Sequence, residues 1–304
     1  VSQDPPNIEA SVAAAAALRQ KTLWAIGATI TLATYVFYPV LVQMFRTWRA
    51  NPDYSHGLLI VPLSLYFAYG KTPQLRRAEL DGSWWGAGVL FLSVIAVCIG
   101  ELGGLLTALR SGYVLALMGL VLLLAGRRVF EILLFPMAFL FLMVPLPQSL
   151  VNIIAFPLQL IAAGWAVGSL QAFGIPALLE GNIIHLAHTQ LFVAEACSGL
   201  RSLMALLTLG VVFAQFFRPG HIIQQSILVA GTIPIAIVVN AVRVSLTGVL
   251  AHNFGRETAT GFIHDFQGMI TFGMAFFMLL LLARSLSFGA NFFTRKNAQE
   301  SSPA

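Results

Sequence analysis

Four polar spots interrupt the apolar C-terminal part of this chain, and their residue types could carry acyl transfer. The first is Cys197, flanked by Glu195, Ser198 and Arg201. The second is Asn240 with Arg243, three residues apart and so on one face of a helix. The third is the stretch His252-Asn-Phe-Gly-Arg256-Glu257, and the fourth is His264 with Asp265. A thiolate is the reactive form of cysteine, favoured by a helix N-terminus and by a nearby cation. A fixed guanidinium can stabilise an oxyanion. An imidazole, with a reference pKa near neutrality, can move the proton. Together they match a nucleophile, a charge stabiliser and an acid/base.

Each residue alone also has a plain structural reading. Free cysteine is among the most buried residue types. An arginine near a helix end can carry its charge out to the membrane interface, and a lone histidine can simply donate to a backbone carbonyl. The functional reading rests on the three occurring together.

The elements that must position these groups are membrane helices. Of 304 residues, 58% are hydrophobic and 10% are charged, against about a quarter charged in soluble domains. The mean hydropathy is +0.84. The fold class expected is an all-α polytopic membrane protein. The net charge of +5 comes from basic residues scattered at segment ends, which speaks for topology and against nucleic acid. No spacing suits a metal site, no Gly-rich loop suits a phosphate, and no cofactor is expected. The other cysteine, Cys98, sits inside an apolar run and reads as a small packing residue.

Apolar segments fall at 23–45, 57–70, 84–100, 111–125, 129–147, 149–173, 199–217, 222–246 and 266–288. If 57–70 spans and 149–173 lies along the interface, one side holds Arg19, Lys21, Lys71, Arg76, Arg77, Arg127, Arg128, Arg218, Arg284, Arg295 and Lys296. The other holds Arg46, Arg49, Arg110, Arg201, Arg243 and Arg256. The reverse choice for these two segments puts most cations outside, so the positive-inside rule selects the first. The expectation is about eight transmembrane helices with both termini cytoplasmic. All four polar spots then share the extracytoplasmic face.

Residues 1–20 read as a disordered arm, 21–288 as one transmembrane domain, and 289–304 as a cytoplasmic tail. The 149–173 stretch follows Pro145-Leu-Pro147 and carries Asn152, Pro157 and Gln159, which suits an interfacial or re-entrant helix. Between 180 and 194, β-branched and alternating residues predict a small β-hairpin leading into Cys197.

Glu195-Ala-Cys197-Ser-Gly-Leu-Arg201, Asn240-Ala-Val-Arg243 and Phe262-Ile-His264-Asp-Phe-Gln-Gly268 resemble, in order and spacing, the signature blocks of the exosortase/archaeosortase family. Glu180-Gly-Asn-Ile-Ile-His-Leu and Tyr54-Ser-His56-Gly57 are similar to it as well. The resemblance extends over about residues 45 to 285. It implies Cys197 as nucleophile, Arg243 as catalytic arginine and His264 as proton-transfer residue. The histidine at 264, where archaeal members tend to carry arginine, implies the bacterial branch and the inner membrane.

The resemblance further implies a cysteine protease/transpeptidase acting on exported proteins with a C-terminal sorting tail: a Pro-Glu-Pro-like motif, a transmembrane helix and a basic cluster (PEP-CTERM). A glycan or lipid is the implied acceptor when the acyl group is transferred. Glu195, Ser198, Arg201, Asn240 and His56 stand as supporting or substrate-binding candidates. Two other readings remain: a transporter with Arg243, Glu101 and Glu131 as pathway charges, and a non-enzymatic subunit of an export or polysaccharide assembly.

Overall fold

The computed structural model describes residues 8–187, 189–193, 199–217, 221–255 and 262–300. The chain divides into two compact units, 1–147 and 148–304, where one domain over 21–288 was expected.

The first unit holds α1 (Ile8–Val36), α2 (Tyr38–Ala50), α3 (Gly57–Gly70), α4 (Thr72–Arg77), α5 (Trp85–Gly103), α6 (Leu106–Ala125) and α7 (Arg127–Phe139). α1 is helical from Ile8, inside the stretch read as a disordered arm; its Ala-rich start is a strong helix former. α5 and α6 form a tight antiparallel hairpin turned at Gly104, whose φ is +65°. Gly100 faces the backbone of Leu109, and Ser93 donates to the carbonyl of Gly112 at 2.7 Å. Small residues at such contacts let helix backbones approach, the usual basis of helix pairing in lipid. The buried side of α5 is Gly86, Ser93 and Gly100. Cys98 lies on its exposed side, so it does not pack as expected.

After α7 the chain makes a 3-10 turn at Leu140–Met143 and then runs through Pro145-Leu-Pro147. Outside a helix, these carbonyls need other donors. Trp48 Nε1 donates to Met143 O at 2.9 Å, Thr107 Oγ1 to Pro145 O at 2.8 Å, and Tyr54 Oη to Leu146 O at 3.1 Å. His56 hydrogen-bonds to the backbone of Leu142. One extended strap is thus held by four side chains from elsewhere in the unit.

The second unit holds α8 (Gln148–Ala172), a three-stranded sheet, α9 (Gly199–Phe217), α10 (Ile222–Phe254) and α11 (Phe262–Glu300). The sheet is an antiparallel meander of β1 (Ala177–Glu180), β2 (Ile183–Leu186) and β3 (Gln190–Phe192). It contains the expected hairpin and one more strand. β1 turns into β2 through Gly181-Asn182, with Gly181 at φ +59°, the positive φ that tight hairpin turns require. Its inner face, with Ile184, Leu186, Leu191 and Val193, closes a core with Ala166 and Leu170 of α8 and Val244 of α10. A second core joins α9, α10 and α11 around Leu206, Leu228, Val239 and Leu279.

Among the described residues, five helices are long and apolar enough to cross a membrane: α5, α6, α8, α10 and Phe266–Ser287 within α11. A sixth arises if Arg19–Val36 and Tyr38–Ala50, bent by 66°, form one broken span. α8 was expected to lie along the interface, yet its 25 residues suffice to span. Conversely, the strap cuts the 129–147 segment so that α7 has only 13 residues, and α3 has 14.

Candidate active site

α10 carries the polar core of the second unit. Asn240, Arg243 and Thr247 are all buried, Arg243 at 7% exposure. A buried guanidinium at membrane depth is costly, by about 2.5–3.5 kcal/mol even on lenient insertion scales. Arg243 lies eleven residues before the end of α10, about 16 Å along the axis, too far in to be a terminal residue.

The guanidinium packs on α11. A Cβ built on Gly268 would stand 3.5 Å from Arg243 Nη2 and 3.8 Å from its Cζ. One turn further along α10, Thr247 Oγ1 lies 2.9 Å from the carbonyl of Arg243 and 2.9 Å from Gln267 Oε1. Gln267 is 2% exposed. Two neighbouring contacts therefore fix the register of α11 on α10: Gly268 against Arg243, and Gln267 against Thr247. Position 264 is one turn before Gly268 in α11, about 6 Å along that axis. Arg243 and the backbone of His264 thus lie within a turn of one another on facing helices.

The hydroxyl of Thr247 has one proton and two acceptors in reach. If the Gln267 amide is turned by 180°, Thr247 donates to the Arg243 carbonyl and accepts from Gln267, which satisfies all three groups. As placed, Gln267 Nε2 makes no hydrogen bond among the described residues. Sequence reasoning missed Thr247 and Gln267 as site residues. The signal was present in the spacing, since 243 and 247, and likewise 264, 267 and 268, share helix faces.

Cys197, Glu195 and Ser198 lie outside the described residues, as do Arg256 and Glu257. The first three fall in sequence between β3, which ends at Phe192, and α9, which begins at Gly199, and the last two between α10 and α11. Arg201 is placed by its backbone in the first turn of α9, and His264 by its backbone in the first turn of α11. His252 lines a groove of about 820 Å³ between α8 and α10, with Trp165, Phe173, Ala241, Ser245 and Val249. α10 therefore shows Arg243 and Thr247 to α11 and an adjoining face to this groove.

His56 belongs to the first unit. Burial pushes its pKa below the usual histidine value, and its bonds to the backbone of Leu142 and Asp53 partly offset that. Tyr54, two residues before it, has its phenol pushed up by burial and then by the Asp53 carboxylate. Both side chains serve the strap that ends this unit. Among the described residues no three His, Cys, Asp or Glu side chains converge as a metal site.

Several long apolar helices and a buried arginine set between two of them define a multi-pass membrane protein with a polar centre near one helix turn. The model of the transmembrane exosortase family (Exosortase_EpsH) matches residues 48–281. This is most of the chain, and the protein belongs to that family. No curated protein and no solved structure matches it.

Proposed function

We propose that this chain is a membrane cysteine peptidase-transpeptidase that removes the C-terminal sorting tail of exported proteins. The observation that carries the reading is the buried Arg243 guanidinium, seated against Gly268 one turn from His264. A cation so placed at membrane depth has a cost that oxyanion stabilisation explains and helix packing does not.

In this reading the Cys197 thiolate attacks the scissile carbonyl, and Arg243 stabilises the tetrahedral oxyanion. The C–N bond breaks as His264 gives its proton to the leaving amine, leaving a thioester on Cys197. His264 then takes a proton from water or from a glycan or lipid acceptor, whose oxygen attacks the thioester and expels the Cys197 thiolate. Arg201 tunes the thiol or pairs with Glu195; Ser198 and Asn240 support the substrate. The enzyme sits in the bacterial inner membrane with about eight crossings, both termini cytoplasmic and the site at the extracytoplasmic face.

The transporter reading draws less support. Glu101 is exposed at the end of α5, and exposed Glu131 pairs with Arg127 at 2.8 Å, so neither carboxylate lines a buried path.

The test is reconstitution of the full chain with a membrane substrate bearing a Pro-Glu-Pro-like tail. Cys197→Ala is expected to insert and fold normally yet leave the tail uncut. Mass spectrometry of the wild type is expected to trap the substrate's new C-terminus as a thioester on Cys197. Tail removal at the wild-type rate by Cys197→Ala would sink the proposal.

A further inference from the structure

The first unit contains an open cationic cavity at its surface that the proposed chemistry does not use. It has a volume of about 440 Å³ and is lined by Lys71, Gln74, Arg77, Ala78, Arg128, Glu131 and Ile132, within the size range of small-molecule sites. Its floor is apolar: Ala78 and Ile132 belong to the core cluster that Leu75 and Val129 also join. Its rim is polar, with Lys71 at the end of α3, Arg77 at the end of α4 and Arg128 in the first turn of α7.

The charges do not balance. Three cations face one carboxylate, and that carboxylate, Glu131, is taken by Arg127. Lys71, Arg77 and Arg128 make no side-chain hydrogen bond or ion pair among the described residues. The walls are held in place independently of any ligand. Arg19 Nη2 donates to Leu75 O at 3.0 Å, Ser83 N donates to Leu122 O at 3.1 Å, and Asp81 bridges to Gly126 just before α7.

The depth is set by aromatics. Tyr69 closes α3, and Trp84 and Trp85 open α5 at this same end of the unit; all three are about four-fifths exposed. Exposed tryptophan and tyrosine at helix ends mark the headgroup level of a bilayer, and basic pockets between helices at that level accept anionic headgroups.

We propose that this cavity holds the phosphodiester headgroup of one anionic phospholipid. Lys71, Arg77 and Arg128 contact the phosphate, and Gln74 contacts the polar part of the headgroup. The acyl chains lie along the apolar surfaces of α3 and α7. The site is independent of Cys197, Arg243 and His264, so its failure would leave the proposed reaction untouched.

The experiment uses the purified full chain, with phosphatidylglycerol, phosphatidylcholine or inorganic phosphate added in detergent. Native mass spectrometry and Tm are the readouts. A Lys71→Gln/Arg77→Gln/Arg128→Gln variant is compared with Lys21→Gln/Arg46→Gln/Arg284→Gln, which removes equal charge at residues that do not line the cavity.

The expected result is one retained phosphatidylglycerol and a rise in Tm for the wild type and the control. The cavity variant is expected to bind at least tenfold more weakly, and phosphatidylcholine to give no shift. Arg128→Gln alone, which touches only the rim, is expected to weaken binding severalfold at unchanged Tm without lipid. Equal binding by both triple variants, or equal loss in both, would overturn the proposal. The same Tm shift from inorganic phosphate alone would assign the cavity to a soluble anion and overturn it as well.

Discussion

Gly268 of α11 lies under the guanidinium of Arg243, close enough that a methyl group there would stand 3.5 Å from Nη2. That is ordinary van der Waals contact, so alanine fits and larger side chains do not. Gly268→Ala is expected to keep activity and to stabilise α11 by about 0.5–1 kcal/mol, the usual gain over glycine inside a helix. Gly268→Leu must push the guanidinium aside and is expected to lower tail processing at least tenfold while the protein still inserts. Processing assays beside Tm on the two variants separate the effects; equal activity in both would show that the position of Arg243 does not matter.

The bond between Thr247 and Gln267 sets which residues of α11 face Arg243. Thr247→Val keeps the shape but leaves the buried Gln267 amide without its partner, at a cost of about 1–3 kcal/mol. Gln267→Leu in the same protein removes the stranded amide, and the double variant is expected to regain at least half of the lost stability. Processing is expected to stay low in the double variant, because the register bond is gone. A double-mutant cycle in Tm with no coupling between the two positions would refute the pairing.

His56 makes stability depend on pH. Its folded pKa is depressed by burial, so the unfolded chain binds the proton first. Stability is then full above the unfolded value of about 6.5 and falls as pH drops from there toward the lowered folded value. Tm measured from pH 7.5 to 5 is expected to decline in the wild type and to decline less in His56→Gln. Identical slopes would remove His56 from the account.

What could be read in advance follows the physics of each signal. Composition alone announced a membrane protein, and the run of β-branched residues near 183 announced the sheet. The spacing Asn240–Arg243 placed two buried polar residues correctly on one helix. Helix lengths were harder. Hydropathy sees 129–147 as one apolar run, while the chain breaks it after Phe139. The polar residues of 149–173 suggested an interfacial helix, but Asn152 accepts from Gln148 Nε2 one turn earlier at 3.0 Å, inside a helix of 25 residues.

Within the site, Arg243 stood out because charge in an apolar run is visible in one residue. Thr247 and Gln267 did not, because their role depends on a partner on another helix. His56 entered only through the family resemblance of Tyr54-Ser-His56-Gly57, and its attachment to Leu142, far along the chain, was not visible.

The strap at 142–146 also has a consequence for biosynthesis. Trp48, Tyr54, His56 and Thr107 all precede the carbonyls they hold. When residue 147 leaves the ribosome, every donor is already in place. The first half can therefore close and settle in the bilayer before any helix bearing Arg243 or His264 has been made. A nascent chain truncated just after residue 147 already holds these four donors to the strap.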